Sequence, residues 1–290
     1  MTVGIAAACE GEAEDGPHMV VAADRMVTSG RATRIEYEHT RSKLDTVVDD
    51  SDASVNGVHC VAASAGAVSY ADDFFTKLDK KLSNQEPAGV QHVATMGADV
   101  IQELTRERGN RQVLNQFDIS LEDLHTGNVS MSDEIIQQLL SEVSDQKGQI
   151  LNNLQVIFAG TDHTGTNIFS IPDGNVAPHN RIGYHAIGSG AQPARSSFIR
   201  SRYDVDCTIE QSLLAVTEAK RQSEEAQGVG SKMDISVINN EDGCSSLTTA
   251  EDVEAGDDSE VEELADLYKR VSNAEQEARE STLGNSDYDY

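Results

Sequence analysis

The chain has 290 residues, 38% of them hydrophobic, with no Trp and only 4% aromatics, so it is long enough for one large domain or two small ones and its core must rest on aliphatic and Ala contacts. Asp and Glu number 50 against 22 Lys and Arg, for a net charge of -28. Such a surface repels nucleic-acid phosphates and anionic lipid headgroups, which excludes both as default partners. The acids are spread along the whole chain, as the solvated surface of a halophilic protein requires; the other reading is a docking surface for a highly basic partner.

A Thr follows the initiator Met, and an apolar run begins at once. Thr2–Cys9 reads as a buried strand. Glu10–Pro17 is an acidic turn, and His18–Ala23 is a second strand ending at Asp24-Arg25, so the two form a hairpin. Arg31–Glu38 reads as an extended arm leading to Arg41-Ser42-Lys43-Leu44, and Val58–Ala65 as a buried strand closed by Gly66. Helical periodicity follows over Tyr70–Leu82 and Val90–Arg106. Gly109–Ser132 is polar and carries no clear period, and Ser132-Asp133-Glu134 caps a short helix, Ile135–Val143. Strands return at Leu154–Ala159, Asn167–Ile171 and Tyr184–Ile187, the middle one ending in the turn Pro172-Asp173-Gly174 and the last running into Gly188-Ser189-Gly190. Amphipathic helices are expected over Ala191–Ser201 and Thr208–Ala226, with a break at Gly228-Val229-Gly230. A closing hairpin joins Asp234–Ile238 to Ser245–Leu247.

Strands and helices therefore come in blocks, which excludes a simple βαβ repeat and fits an α+β domain of two stacked sheets with helical layers outside. The domain is expected to span 2–247. From 248 to 290 Asp and Glu dominate; this segment reads as a mobile acidic tail with a solvated helix over Val261–Arg279, or as a docking terminus ending in Tyr288 and Tyr290. Cys9, Cys60, Cys207 and Cys244 form no CxxC pair, and no metal site is expected through them. No apolar stretch approaches the ~20 residues of a membrane span. With no signal peptide, the expected location is cytoplasmic.

Removal of Met1 would leave Thr2 with a nucleophilic hydroxyl and a free amine on one residue, combining nucleophile and general base. With TVGIAAACEG and HMVVAADRMVTSG at its opening, RSKL, AIGSGAQPA and EAKRQSEEAQGVGSKMDISVI in that order, the chain resembles, over Thr2–Ile238, the β-type proteasome subunits and in particular the HslV-type peptidases, in a version suited to a halophilic archaeon. The resemblance implies a four-layer αββα sandwich of the N-terminal nucleophile hydrolase type. It implies a threonine-type peptidase without cofactor, acting on peptide or unfolded protein inside a homo-oligomeric ring that an ATPase feeds.

The same resemblance makes Thr2 the nucleophile, Lys43 the ammonium that lowers the pKa of its amine, and Asp24 the carboxylate that holds Lys43 in place and charged. Ser189 corresponds to a proton-relay serine; as a plain strand-to-helix turn it would instead be an N-cap. The oxyanion donor maps to the Ala63 amide, where the family usually has Gly. Thr28 would pair with an extended peptide, and Val27, Val61 and Ala65 would border an apolar side-chain pocket, or else be core. The family's Asp and Ser after the last long helix have no counterpart in Ser223-Glu224-Glu225-Ala226-Gln227-Gly228, a pattern that HslV-type relatives also lack. Two other functions fit the same residues. One is a narrow amidase for a small amide, consistent with the long helical stretch Leu82–Ile150. The other is a non-catalytic ring subunit, although the helix that precedes the first strand in α-type subunits is missing.

Overall fold

The structure is a computed structural model, and it describes residues 2–11, 17–29, 35–38, 42–49, 57–126, 129, 131–239 and 243–248. The tail expected over 248–290, its helix Val261–Arg279 and most of the turn at Glu10–Pro17 lie outside the described residues, apart from Thr248 at the end of the last strand.

Mixed α and β structure is built on two antiparallel sheets. In the first, β10 (Tyr184–Gly188), β1 (Val3–Cys9), β2 (His18–Asp24), β11 (Met233–Asn239) and β12 (Gly243–Thr248) lie side by side in that order. In the second, the order is β5 (Leu44–Asp49), β6 (His59–Gly66), β7 (Leu154–Asp162), β8 (Gly165–Ser170) and β9 (Ala177–Pro178). A separate antiparallel pair joins β3 (Met26–Ser29) to β4 (Ile35–Glu38). The helices are α1 (Val68–Leu82), α2 (Val90–Gln112), α3 (Leu121–Thr126), α4 (Asp133–Asn153), α5 (Ala191–Ser201) and α6 (Ile209–Ser223).

The near-continuous apolar strands are explained by burial on both faces. Alternate residues of a strand point to opposite sides of its sheet. In β1, Val3, Ile5 and Ala7 pack with Ala194, Phe198, Leu213 and Val216 of α5 and α6, while Ala6 and Ala8 enter a second cluster. In β6, Cys60 and Ala62 pack with Phe74 and Leu78 of α1 and Val93 and Ile101 of α2, while Val61, Ala63 and Ala65 join Ala6 and Ala8. That shared cluster, completed by Met19, Val21, Ile157 and Ile168, lies between the two sheets. It is rich in Ala, as a chain poor in aromatic residues requires.

The two hairpins expected at the beginning and end of the domain are present as β1–β2 and β11–β12. Three features differ from expectation. Helix α4 runs through Asn153 rather than stopping at Val143, because Leu139 and Ile150, about three turns apart on one helical face, are both buried while most of its polar residues face out. The polar stretch Gly109–Ser132 contains a satellite core of Val113 and Leu114 packed on Leu139, with Ile119, Leu121 and Leu124 around it. Strand β5 went unread because its half-exposed sequence, Leu44–Asp49, has no continuous apolar run.

Candidate active site

Asp24 ends β2 and is completely buried. A buried charge is tolerated only when paired and hydrogen-bonded, and this carboxylate is held by groups from four places in the chain. Its Oδ1 accepts from the Thr2 hydroxyl, from the Val3 amide at 2.8 Å and from Lys43 Nζ at 3.0 Å. Its Oδ2 accepts from the amides of Met26 and Gly230, each at 3.0 Å. The register explains the arrangement. Gly4 stands opposite Ala23 in the β1–β2 pair, which brings the start of β1 beside the end of β2.

Lys43 precedes β5, and its ammonium has three donors. They go to the Thr2 hydroxyl oxygen, to Asp24 and to the Met26 carbonyl. The Thr2 hydroxyl thus donates to Asp24 and accepts from Lys43. Burial lowers the Lys43 pKa from its ordinary value, and the opposing pull of Asp24, with a smaller one from Asp234, does not cancel the desolvation. Burial thus eases Lys43 toward losing its proton, while Asp24 acts in the expected sense and favours the charged form.

The carbonyl of Thr2 is fixed on its other side by the turn between β10 and α5. Ser189 Oγ and the Gly190 amide each donate to it at 3.3 Å. Gly188 has a φ of +87°, and a Cβ there would lie 2.1 Å from the Thr2 carbonyl oxygen. Only Gly satisfies both the backbone angle and the close approach. Ser189 is not the N-cap of α5: that position is Gly190, and no side chain caps the helix.

Thr2, Asp24, Lys43 and Ser189 are therefore one cluster, with Ser189 on the Thr2 backbone rather than on its hydroxyl. The expected substrate residues fall differently. Val61, Ala63 and Ala65 have their side chains in the core between the sheets. Ala63 stands between Leu44 of β5 and Ile157 of β7, and the next amide, Ser64, donates to the Lys43 carbonyl at 3.2 Å. Val27 is half-buried in β3, and Thr28 lies opposite Glu36. Among the described residues β3 is paired along one edge only, by β4.

Several participants were not anticipated. Asp234 of β11, opposite Ala23, forms a buried ion pair with Arg25 at 2.7 Å. Its signal in the sequence is an Arg directly after Asp24 and an acid, Asp234, near the start of a buried strand. The amide of Gly230 leaves no such signal, because any residue but Pro supplies it. Buried Lys220 of α6 holds the segment leading to Gly230, donating to Glu224 at 2.6 Å and to the Ser231 carbonyl. Glu224 is thus occupied away from Thr2. Ser223 donates to the Gly190 carbonyl at 3.0 Å, so it supports the turn rather than replacing the missing acid.

No family model matches the chain, and no curated protein matches it. Among solved structures, the fold is similar to that of an Anbu mutant from Hyphomicrobium sp. strain MC1, with a TM-score of 0.58, 16% identity and all of both chains covered. The resemblance to β-type proteasome subunits and HslV-type peptidases is corrected by these findings: the likeness to the Anbu structure is one of fold, and the sequence carries no support for the HslV family or for an archaeal source. The physical reason lies in the motifs themselves. Segments such as AIGSG and VGIAA are set by tight sheet contacts and by the Gly188 approach to Thr2, so they report the geometry of a strand pair rather than one family. Among the described residues no helix is long and apolar enough to cross a membrane.

Proposed function

We propose that the protein is an amidohydrolase that uses Thr2 as an N-terminal nucleophile, on a four-layer αββα sandwich spanning residues 2–247, with the acidic segment 248–290 as a tail outside it. The observation that carries this reading is the Thr2 hydroxyl held between a buried carboxylate and a buried ammonium, Asp24 and Lys43. The Anbu-like fold supports a peptidase of proteasome-like kind, and with it a homo-oligomeric ring.

After removal of Met1, the Thr2 hydroxyl attacks the scissile carbonyl, and its proton passes to a neighbouring amine. Two amines are available: the new α-amine of Thr2, with an ordinary pKa of ~7.7–8.0, and Lys43, already bonded to the hydroxyl and eased toward its neutral form by burial. The tetrahedral intermediate collapses as the C–N bond breaks, and the leaving amine takes up that proton. Water then hydrolyses the Thr2 ester and restores the hydroxyl. Asp24 orients both partners, and Ser189 with Gly190 fixes the Thr2 backbone. The Ala63 amide remains the proposed oxyanion donor. The edge of β3 that no described strand pairs, around Val27 and Thr28, suits addition of an extended peptide as a further strand.

A narrower amidase is the second reading. Its support is that Val61 and Ala65 are core residues, at 1% and 3% exposure, and so offer no open side-chain pocket. The decisive experiment is intact mass before and after treatment with a peptide epoxyketone, which forms its ring adduct only where a hydroxyl and a free amine share one residue. Loss of Met1 with one adduct on Thr2, abolished in Thr2→Ala, is the expected result. Loss of Met1 without an adduct would favour the narrow amidase. Retention of Met1 in the protein from its native host would overturn the nucleophile assignment and leave a non-catalytic subunit.

A further inference from the structure

At the far end of β5 from Lys43, Asp49, His59 and Cys244 meet. Each offers one ligand atom, and these atoms lie within 4.8 Å of one another. They come from three strands: Asp49 ends β5, His59 opens β6 directly opposite it, and Cys244 is the second residue of β12. The first two belong to one sheet and the third to the other. We propose that this cluster is a binding site for a zinc-type divalent metal ion, which would clip the two sheets together.

The chemistry of the donors supports the choice. One imidazole, one thiolate and one carboxylate form a mixed N, S, O set of the borderline-soft kind that zinc favours, with a fourth position left for water. His59 Nδ1 and Asp49 Oδ1 are 3.0 Å apart. Two ligands at ~2.0–2.1 Å from a tetrahedral ion are separated by roughly 3.3 Å, so only a small adjustment is needed. His59 is buried, whereas the Asp49 side chain is 34% exposed and gives the ion a route in. The chain makes room for the contact. Gly243 has a φ of +76°, and a Cβ there would lie 2.6 Å from Asp49 Oδ1 and 3.2 Å from His59 Nδ1. A side chain at that position would push β12 away from the pair.

Without a metal, Asp49 accepts from the Cys244 amide at 3.3 Å and pairs with His59. Burial, and then the charge of Asp49, pushes the Cys244 thiol up to about 12, so it is protonated near neutral pH. Metal binding therefore exchanges protons: the thiol loses one to solvent as the S–metal bond forms, and His59 binds through Nδ1 in the tautomer that carries its proton on Nε2. No electrons are transferred. Residues Cys60 and Cys244 approach closely enough for their charges to couple, but Cys60 lies wholly inside the α1–α2 core and is not counted as a ligand.

Asp49 is six residues along the strand from Lys43, roughly 20 Å at ~3.4 Å per step, so the site is separate from the Thr2 cluster. The spacing of the cysteines in the sequence gave no hint of it, because its ligands are scattered over Asp49–Cys244 and are united only when the second sheet closes on the first.

The test uses the full chain, stripped with a chelator and titrated with zinc chloride and, separately, with cobalt chloride. The expected result is one tightly held ion per chain by elemental analysis, and for cobalt a thiolate charge-transfer band in the near ultraviolet with intense tetrahedral bands in the visible. Cys244→Ser should abolish the charge-transfer band and weaken binding at least ~10-fold, and His59→Gln should weaken it similarly. Metal should raise the melting temperature of the native chain and leave that of Cys244→Ser unchanged. Should a variant fail to fold, protection of Cys244 from alkylation by zinc in the native chain replaces it. Absence of the band, zinc that leaves Cys244 fully alkylatable, or ions bound in numbers that Cys244→Ser does not alter would overturn the proposal; the last would mark cations held by the acidic surface alone.

Discussion

Lys43 and Asp24 set the behaviour of Thr2, and the two are not interchangeable in what their loss does. Lys43→Met removes a donor to the Thr2 hydroxyl and leaves the Asp24 carboxylate without its cation. Adduct formation with the epoxyketone is expected to fall by at least ~100-fold, in line with loss of a positioned acid–base group, and the pH–rate profile to lose its lower limb. An unchanged profile would assign Lys43 to structure alone. Asp24→Asn presents an NH₂ group where one carboxylate oxygen accepts two or more hydrogen bonds, so an unfavourable donor-to-donor contact with a backbone amide or Lys43 follows. Unfolding by urea should show a stability loss of about 3–5 kcal/mol, the range for breaking a buried ion pair. Asp24 was visible in the sequence as an acid ending an apolar strand, and Lys43 as a cation after a polar arm. Their shared contact with Thr2 became visible through a family resemblance rather than through spacing, since 22 residues separate the first pair and 41 the second.

Elements were legible where burial is one-sided or complete. The strands β1, β2 and β6 announce themselves as unbroken apolar runs because both of their faces are covered. Strand β5 hid because its faces are only partly covered, and the last ten residues of α4 hid because they meet the core through few side chains, chiefly Ile150. The turn from β10 to α5 is legible as Gly-Ser-Gly, and of its two readings the N-cap is not the one found: the Ser donates to the Thr2 carbonyl and Gly190 takes the cap position without a side-chain cap. Gly188→Ala tests the element as a whole. The added methyl meets a carbonyl oxygen in a left-handed backbone, and a loss of roughly 1–3 kcal/mol is expected from the strain. Thr208→Ala, at the capping box of α6, should cost about 1 kcal/mol while leaving Thr2 reactive, since that cap lies at the other end of the helix from Ser223.

At the scale of the whole molecule, pH and salt act through groups that composition alone did not rank. His179 and His185 stack with ring centroids 3.5 Å apart beside Arg195. Burial first, then the neighbouring charges, lowers the pKa of both rings, that of His185 to about 3. In the unfolded chain these histidines take up protons near 6.5, while the folded chain resists until far lower pH. Acidification between those values therefore favours unfolding, and stability contributed by the neutral pair is full above about 6.5 and lost as pH falls toward 3. Melting temperatures measured across that window should decline less steeply for His185→Gln. The net charge of -28 adds self-repulsion that salt screens, so the melting temperature should rise between low and high salt.

The way Asp24 is satisfied also sets a clock. Its neighbour Arg25 must wait for Asp234, 209 residues later, and its own Oδ2 waits for the Gly230 amide from the same late segment. At the ~5–20 residues per second of protein synthesis, roughly 10–40 s separate the emergence of Thr2 and Asp24 from that of the residues that complete their setting. β2 spends that interval with its β11 edge open. The nascent chain thus carries the Thr2 hydroxyl in an unfinished cradle, and the cradle closes only after residues 230–234 have been made.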